Sequence, residues 1–411
     1  MRVAKKSAGQ LRRLALLSKN FAYADSASSV ALPFDTCFVR ESKKLAAKYK
    51  NVELVVVIGI GGSNLGSQAV TEAIQGKYFN LFSKKKLMWL DSIDADAISA
   101  VVAQMSATKP NKTLLIVISK SGTTTETIAN LQVLLRLKQL SKQANVVAIS
   151  DRNSALHLLA EKKGFDFLEV PKNVGGRYSV FSNVGLFPFA VIGIDVDALL
   201  SGAKVACNDS FSLNWRKNQA ATIASLLYLH RKNRIRINET FLFANNLESL
   251  GKWYRQLLAE SIGKEKNLRE KVVNEGITPI VSTAVDLHSQ AQLYFSGPND
   301  RFFTIVDVKN QSSFLVEPDE DFVELVPQIQ GKATAQITRA ISTGFKRSLI
   351  NHARPFVEVT FDEINEKEIG YFMQVGMIQT MLLANLLNVN AFDQPNVEDY
   401  KKENKTFLTR E

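Results

Sequence analysis

The sequence predicts an α/β protein built as two α/β/α sandwich units with parallel sheets, followed by a C-terminal tail. Short β-branched runs alternate with helical stretches, an order that imposes right-handed crossovers and parallel strand pairing. The scheme starts again beyond about residue 200. A chain of 411 residues, 45% of them hydrophobic, also exceeds what one core usually encloses. The expected units are 1–200 and 201–385, with 386–411 as the tail.

After a basic, amphipathic opening, residues 52–58 read as a buried strand and 67–74 as the helix behind it. Further strands are expected at 87–90, 113–118 and 145–149, with helices near 95–104 and 126–141. Residues 214–231 predict a long linking helix. The second unit repeats the pattern: strand 240–244, helix 248–262, strand 278–281, a helix near Ser289, strand 302–308, helix 333–351 and strand 356–361. No low-complexity linker interrupts the join, so the units are expected to pack tightly. Residues 369–392 carry no formal charge, a run long enough to cross a bilayer. Gln374, Gln379, Thr380, Asn385, Asn388 and Asn390 are strewn through it, each expensive in hydrocarbon. A buried helix is the reading, with no membrane contact.

Cys37 and Cys207 are the two cysteines, at neither metal-ligand nor redox spacing and too few for a disulfide framework. They predict a cytoplasmic location. The formal charge of +11 lies in short clusters such as Lys84-Lys85-Lys86. Without interleaved aromatics this favours solvated charge and then anionic metabolites over nucleic acid. Leu14 opens an apolar stretch far too short for a signal peptide.

In open parallel sheets ligands sit beyond the carboxyl ends of the strands. Gly59-Ile60-Gly61-Gly62-Ser63-Asn64-Leu65-Gly66 follows the first expected strand and opens a helix. Its glycines let backbone amides approach an anion at a positive helix end. A dinucleotide fingerprint from Gly59 needs Gly or Ala where Asn64 stands, and a Walker loop from Gly61 needs Lys where Ser67 stands. Both fail. Ser119-Lys120-Ser121-Gly122-Thr123-Thr124-Thr125-Glu126-Thr127 follows the third strand, again at a helix start. One hydroxyl explains an N-cap, and Thr123 with Glu126 spells a capping box, but the cluster suits a phosphate.

This second loop resembles the phosphosugar-binding loop of sugar isomerase (SIS) domains. The first loop, Gly175-Gly176-Arg177-Tyr178-Ser179, Gln256-Leu257-Leu258-Ala259-Glu260-Ser261-Ile262-Gly263-Lys264, Asp286-Leu287-His288-Ser289-Gln290 and Phe392-Asp393-Gln394-Pro395-Asn396-Val397-Glu398-Asp399-Tyr400-Lys401 are similar, in order, to motifs of the glucose-6-phosphate isomerase family. The resemblance implies two SIS domains with the active site between them, and aldose–ketose exchange of glucose 6-phosphate and fructose 6-phosphate through an enediolate. It implies Glu260 as the proton-transferring base, Arg177 as the cation beside the enediolate, and His288 with Lys401 for ring opening. Gly62, Ser63, Ser119, Lys120, Ser121, Thr123, Thr124, Gln256 and Gln394 would hold the substrate. Neither metal nor cofactor is required. The family works as a homodimer in which the neighbouring subunit supplies the histidine, so His288 is expected to act in trans and the tail to fold back and deliver Lys401.

The residues alone leave alternatives. Gln256 and Glu260 are one helical turn apart and share a face, but Glu260 and Lys264 also have salt-bridge spacing. His157 reads as packing or surface, and His230 and His352 have no visible partner. Asn183, Ala391 and Asn396 depart from the family pattern, altering turn geometry more than chemistry. A non-catalytic phosphosugar-binding SIS module would not need Glu260, His288 and Lys401 together. An isomerase accepting both glucose and mannose phosphates is the other rival. The isomerase half of an aminosugar synthase would need Cys where Arg2 stands.

Overall fold

The computed structural model describes residues 2–136 and 145–410. The first sheet comprises β1 (Leu54–Ile58), β2 (Lys86–Leu90), β3 (Thr113–Ile118), β4 (Asn145–Ser150) and β5 (Asp166–Glu169), all parallel, in the order β2-β1-β3-β4-β5. The second comprises β6 (Ile237–Leu242), β9 (Thr278–Thr283), β10 (Arg301–Asn310) and β11 (Phe356–Glu363), parallel in the order β11-β10-β6-β9. Between β6 and β9 lies a separate hairpin of β7 (Lys264–Lys266) and β8 (Val272–Glu275). In chain order the second sheet repeats the first as far as its fourth strand.

Uninterrupted aliphatic runs make the central strands, because a sheet covered on both faces has no solvent side to mark with polar residues. Every residue of β1 and β3 is buried. β3 occupies the expected residues, while β1 begins at Leu54 rather than residue 52. The helix expected at 126–141 is observed over Thr125–Arg136; the rest of that expectation lies outside the described residues. The linking helix is shorter than expected, Gln219–Lys232, because Asn218, not Asn214, caps it: its Oδ1 accepts the amide of Ala221 at 2.8 Å.

The uncharged run near the C-terminus forms the helix Glu366–Leu387, the one described helix long and apolar enough to cross a bilayer, with 83% of its apolar window buried inside the protein. It crosses the helix Val196–Ser210, which runs through residue 200. At the crossing a Cβ on Gly202 would lie 1.8 Å from the carbonyl oxygen of Lys367, and one on Gly370 would lie 1.9 Å from that of Leu199. Only glycine at both positions lets the backbones approach this closely. Around this crossing the principal core gathers Trp253, Leu257, Met373 and Met377, all essentially inaccessible. Burial on this scale stabilises by about 1.5–3 kcal/mol for each large apolar side chain.

Asn183 does not alter a turn. It opens the helix Asn183–Ile192 fully buried, accepting from the Ser42 hydroxyl at 2.8 Å and donating to the Glu169 carbonyl at 3.0 Å. His157 packs against Phe167 with ring centres 4.2 Å apart, and His230 and His352 lie against Phe302 and Phe295.

Candidate active site

The glycine-rich loop leaves the carboxyl end of β1 and the hydroxyl-rich loop leaves that of its neighbour β3. In the latter, the hydroxyls of Ser119 and Thr124 lie 2.9 Å apart, and Ser121 Oγ accepts from the amide and hydroxyl of Thr123, each at 3.3 Å. The following helix begins at Thr125, so Thr123 stands one residue before the capping position and the capping-box reading does not hold. Lys120 donates to the carbonyl of Val174 at 2.9 Å. Burial lowers its pKa, with the Asp151 carboxylate opposing. The same burial raises the pKa of Asp151.

Val174 leads into the third loop, whose Gly176 lies against the first. A Cβ on Gly62 would fall 2.2 Å from the carbonyl carbon of Gly176, so the two turns touch backbone to backbone. Ser63 sits in the same short turn as Gly62, Gly61–Ser63. That contact positions Arg177, which is 2% exposed and fully engaged. Its Nε donates to Ser261 Oγ at 2.8 Å, Nη1 to Glu260 Oε2 at 3.2 Å, and Nη2 to the Ala391 carbonyl at 2.6 Å. A planar guanidinium is the side chain that satisfies three such acceptors at once.

Glu260 lies in the last turn of the helix Glu248–Ile262, as expected from the sequence. Its Oε1 accepts from Gln256 Nε2 at 2.8 Å, one turn back on the same face. Its Oε2 accepts from Arg177 and from Gln394 Nε2, the latter at 2.5 Å. Gln256 in turn faces the first loop: a Cβ on Gly61 would lie 2.7 Å from its Nε2. The carboxylate, the guanidinium, two carboxamides and the glycine loop therefore form one contiguous cluster at the carboxyl end of the first sheet. The hydroxyl loop lies beside it.

Lys264 does not pair with the Glu260 carboxylate, the alternative left open by the sequence. Its ammonium binds the main-chain carbonyl of Glu260 at 2.8 Å, that of Asp393 at 2.6 Å, and Asp393 Oδ1 at 3.0 Å. Burial lowers its pKa, with Asp393 opposing. A cation at a helix C-terminus satisfies carbonyls that the helix leaves open. Here it also ties down the segment that brings Gln394 to Glu260. Ser261, Lys264, Asp393 and Tyr178 were not expected as site residues. Ser261 and Lys264 fall inside a recognisable motif, but nothing in their spacing shows that they grip Arg177 and Asp393.

Two expected residues stay apart within this chain. His288 is the second residue of the helix Leu287–Ser296, exposed, with no side-chain partner among the described residues. Lys401 lies on the exposed helix Val397–Arg410, paired with Glu398 at 2.8 Å. The tail thus reaches the cluster through Ala391, Asp393 and Gln394, but it does not deliver the Lys401 ammonium to Glu260. Among the described residues no three His, Cys, Asp or Glu side chains converge as metal ligands. What the cluster offers is a carboxylate able to exchange a proton beside a buried cation able to stabilise an anion.

A family model described as phosphoglucose isomerase matches residues 38–409. The chain is 33% identical over 373 residues to a glucose-6-phosphate isomerase of Thermus thermophilus, covering 89% of this chain and 86% of that one. It is 34% identical over 384 residues to one of Mycoplasma capricolum, covering 90% and 86%. Among solved structures, it is similar to a hypothetical protein from Thermus thermophilus (TM-score 0.87, 31% identity, covering 99% and 96%). The fold also matches a glucose-6-phosphate isomerase from Chlamydia trachomatis (TM-score 0.78, 20% identity, covering 90% and 72%).

Proposed function

The chain belongs to the phosphoglucose isomerase family, and from that premise we propose that it interconverts glucose 6-phosphate and fructose 6-phosphate with Glu260 as the transferring base. The observation that carries this reading is the convergence of Arg177, Gln256 and Gln394 on one carboxylate. The phosphate lies among Ser63, Ser119, Ser121, Thr123 and Thr124, whose hydroxyls and amides donate to its oxygens. Gly62 allows that close approach, and Lys120 adds positive charge. Gln256 and Gln394 hold the sugar against Glu260. The carboxylate takes the proton from carbon-2 of the open aldose and returns it to carbon-1, so it ends as it began, while the proton of the carbon-2 hydroxyl passes to the oxygen on carbon-1. Between the two transfers the enediolate carries negative charge beside Arg177, whose burial keeps water from screening it.

Ring opening falls to His288 and Lys401, and we place the working His288 on a second copy of the chain. In a parallel strand–helix unit the helix runs back along the sheet, so Glu260 ends near the start of β9 whereas His288 follows the end of β9. The 15-residue helix spans about 22 Å. A histidine at the far edge serves a neighbour better than its own chain. The exposed Phe314, Phe322 and Leu325 follow β10 and supply apolar surface at that same edge of the sheet. A homodimer in the cytoplasm is the working form, and the unpaired Cys37 and Cys207 accord with that compartment.

The test mixes two inactive variants, Glu260→Gln and His288→Ala, under conditions of subunit exchange and assays fructose 6-phosphate isomerisation. Trans action predicts recovery to about a quarter of wild-type activity, because half the dimers are mixed and each has one intact site. No recovery, with mixed dimers demonstrated, would reject the arrangement. A parallel arm with mannose 6-phosphate separates strict from dual specificity.

A further inference from the structure

On the reverse side of the Glu260 helix, a cavity of about 600 Å³ lies between the second sheet and the helix Glu366–Leu387. Tyr254 forms part of its wall. It precedes Gln256 by two residues and so points about 200° away from it around the helix axis. The cavity therefore lies outside the cluster described above, though both share one helix.

The lining is mostly apolar, with Val357, Val359 and Phe361 of β11 facing Phe372 and Val375. Several hydroxyls interrupt it, among them those of Thr240 and Tyr254. Thr240 is 1% exposed, and its hydroxyl has no hydrogen-bond partner among the described residues. Tyr254 accepts from the Gln379 carboxamide, which leaves its own proton free. A buried hydroxyl without a partner is destabilising, so such groups are retained where something meets them. The charged lining residues, Arg216, Lys367, Glu358 and Glu368, balance in sign, and Glu358 already pairs with Lys346 at 2.7 Å. Nothing there selects an ion.

We propose that this cavity is a second small-molecule site, taking a neutral, mostly apolar molecule that presents a carbonyl oxygen to Thr240 and Tyr254. Its volume is that of an ordinary small-molecule pocket. The exposed indole of Trp215 stands among the lining residues and reports occupancy. Any effect of a bound molecule on turnover passes through the Glu260 helix and rests on the function proposed above; binding itself does not.

Benzophenone, a neutral aromatic ketone that inserts into nearby C–H bonds when irradiated, serves as the probe on the full chain. Saturable quenching of Trp215 fluorescence is expected, absent in Trp215→Phe, with photolabelling confined to peptides containing 357–361 and 371–379. Thr240→Val should weaken binding about fivefold, the worth of one neutral hydrogen bond. Val359→Phe, which fills the wall, should abolish it. Both variants should keep isomerase turnover, which shows that they are folded. Non-saturable quenching, labelling spread over other peptides, or undiminished binding in both variants would overturn the proposal.

Discussion

Glu260→Gln removes a negative charge while leaving a side chain of almost the same shape, and the surroundings dictate how the new carboxamide settles. Oε2 receives two donors, Arg177 and Gln394, whereas Oε1 receives only Gln256. The new NH2 group therefore takes the Oε1 side. Gln256 turns its carboxamide over to meet it, because its own Oε1 is buried and unpartnered. What is lost is one charge-assisted contact to Arg177. That side chain keeps Ser261 and the Ala391 carbonyl, and Glu260 is already 30% exposed. The stability change is thus small, about 1–2 kcal/mol. Turnover behaves differently, because no carboxylate remains to take the carbon-2 proton. Loss of a general base raises the barrier by about 3–5 kcal/mol, so kcat should fall roughly a thousandfold while KM moves by less than about threefold. An isomerase assay from fructose 6-phosphate, with a melting curve as the folding control, reads both. A folded variant within tenfold of wild-type kcat would refute the assignment of Glu260 even if the enzyme class stood.

Arg177→Lys replaces a three-pronged donor with a single ammonium; a loss of about a hundredfold in kcat is expected, with a lower urea midpoint measured by fluorescence. Gly62→Ala forces the first and third loops apart, and an equilibrium urea titration should show a loss of about 1–3 kcal/mol together with reduced kcat/KM. Lys120 has a lowered pKa because of burial, so its charge disappears on the alkaline side at a pH below the ordinary lysine range. The pH profile of kcat/KM, which reports the free enzyme, should fall there in the wild type. Lys120→Met should start lower and lack that limb. The sign for folding runs the other way: the folded chain gives up this proton more readily than the unfolded chain, so the penalty of burying the charge is present at neutral pH and fades as pH climbs towards the unfolded value.

Elements with a single strong period were legible in the sequence. β3 and the helix Glu248–Ile262 occupy the expected residues because an aliphatic run and a clean helical face each end at polar boundaries. β5, with the sequence Asp-Phe-Leu-Glu, gave no such signal because it lies at the sheet edge and is half polar. The helix Asn183–Ile192 is buried almost all round and contains Pro188, so it shows no periodicity to read. The same contrast holds in the site. Gln256 and Glu260 are linked by helical spacing, but Arg177 and Gln394 stand 83 and 134 residues from Glu260, and no local rule joins them. Only the resemblance did so. The grip of Lys264 on the tail was hidden because it falls on the carbonyl and carboxylate of Asp393, 129 residues away, a separation that no local spacing rule spans.

The paired glycines at the crossing of Val196–Ser210 with Glu366–Leu387 determine how this chain can and cannot be divided. Each half of the sequence lends a backbone surface that the other half alone can cover, so severing the polypeptide beside Gly202 would leave two fragments with complementary wounds rather than two modules. A graft that exchanged one sheet for that of a relative would have to carry both helices along. The same clasp removes the obvious hinge between the sheets. Any widening of the cleft to admit a sugar must then come from its loops, with the frame beneath them standing still.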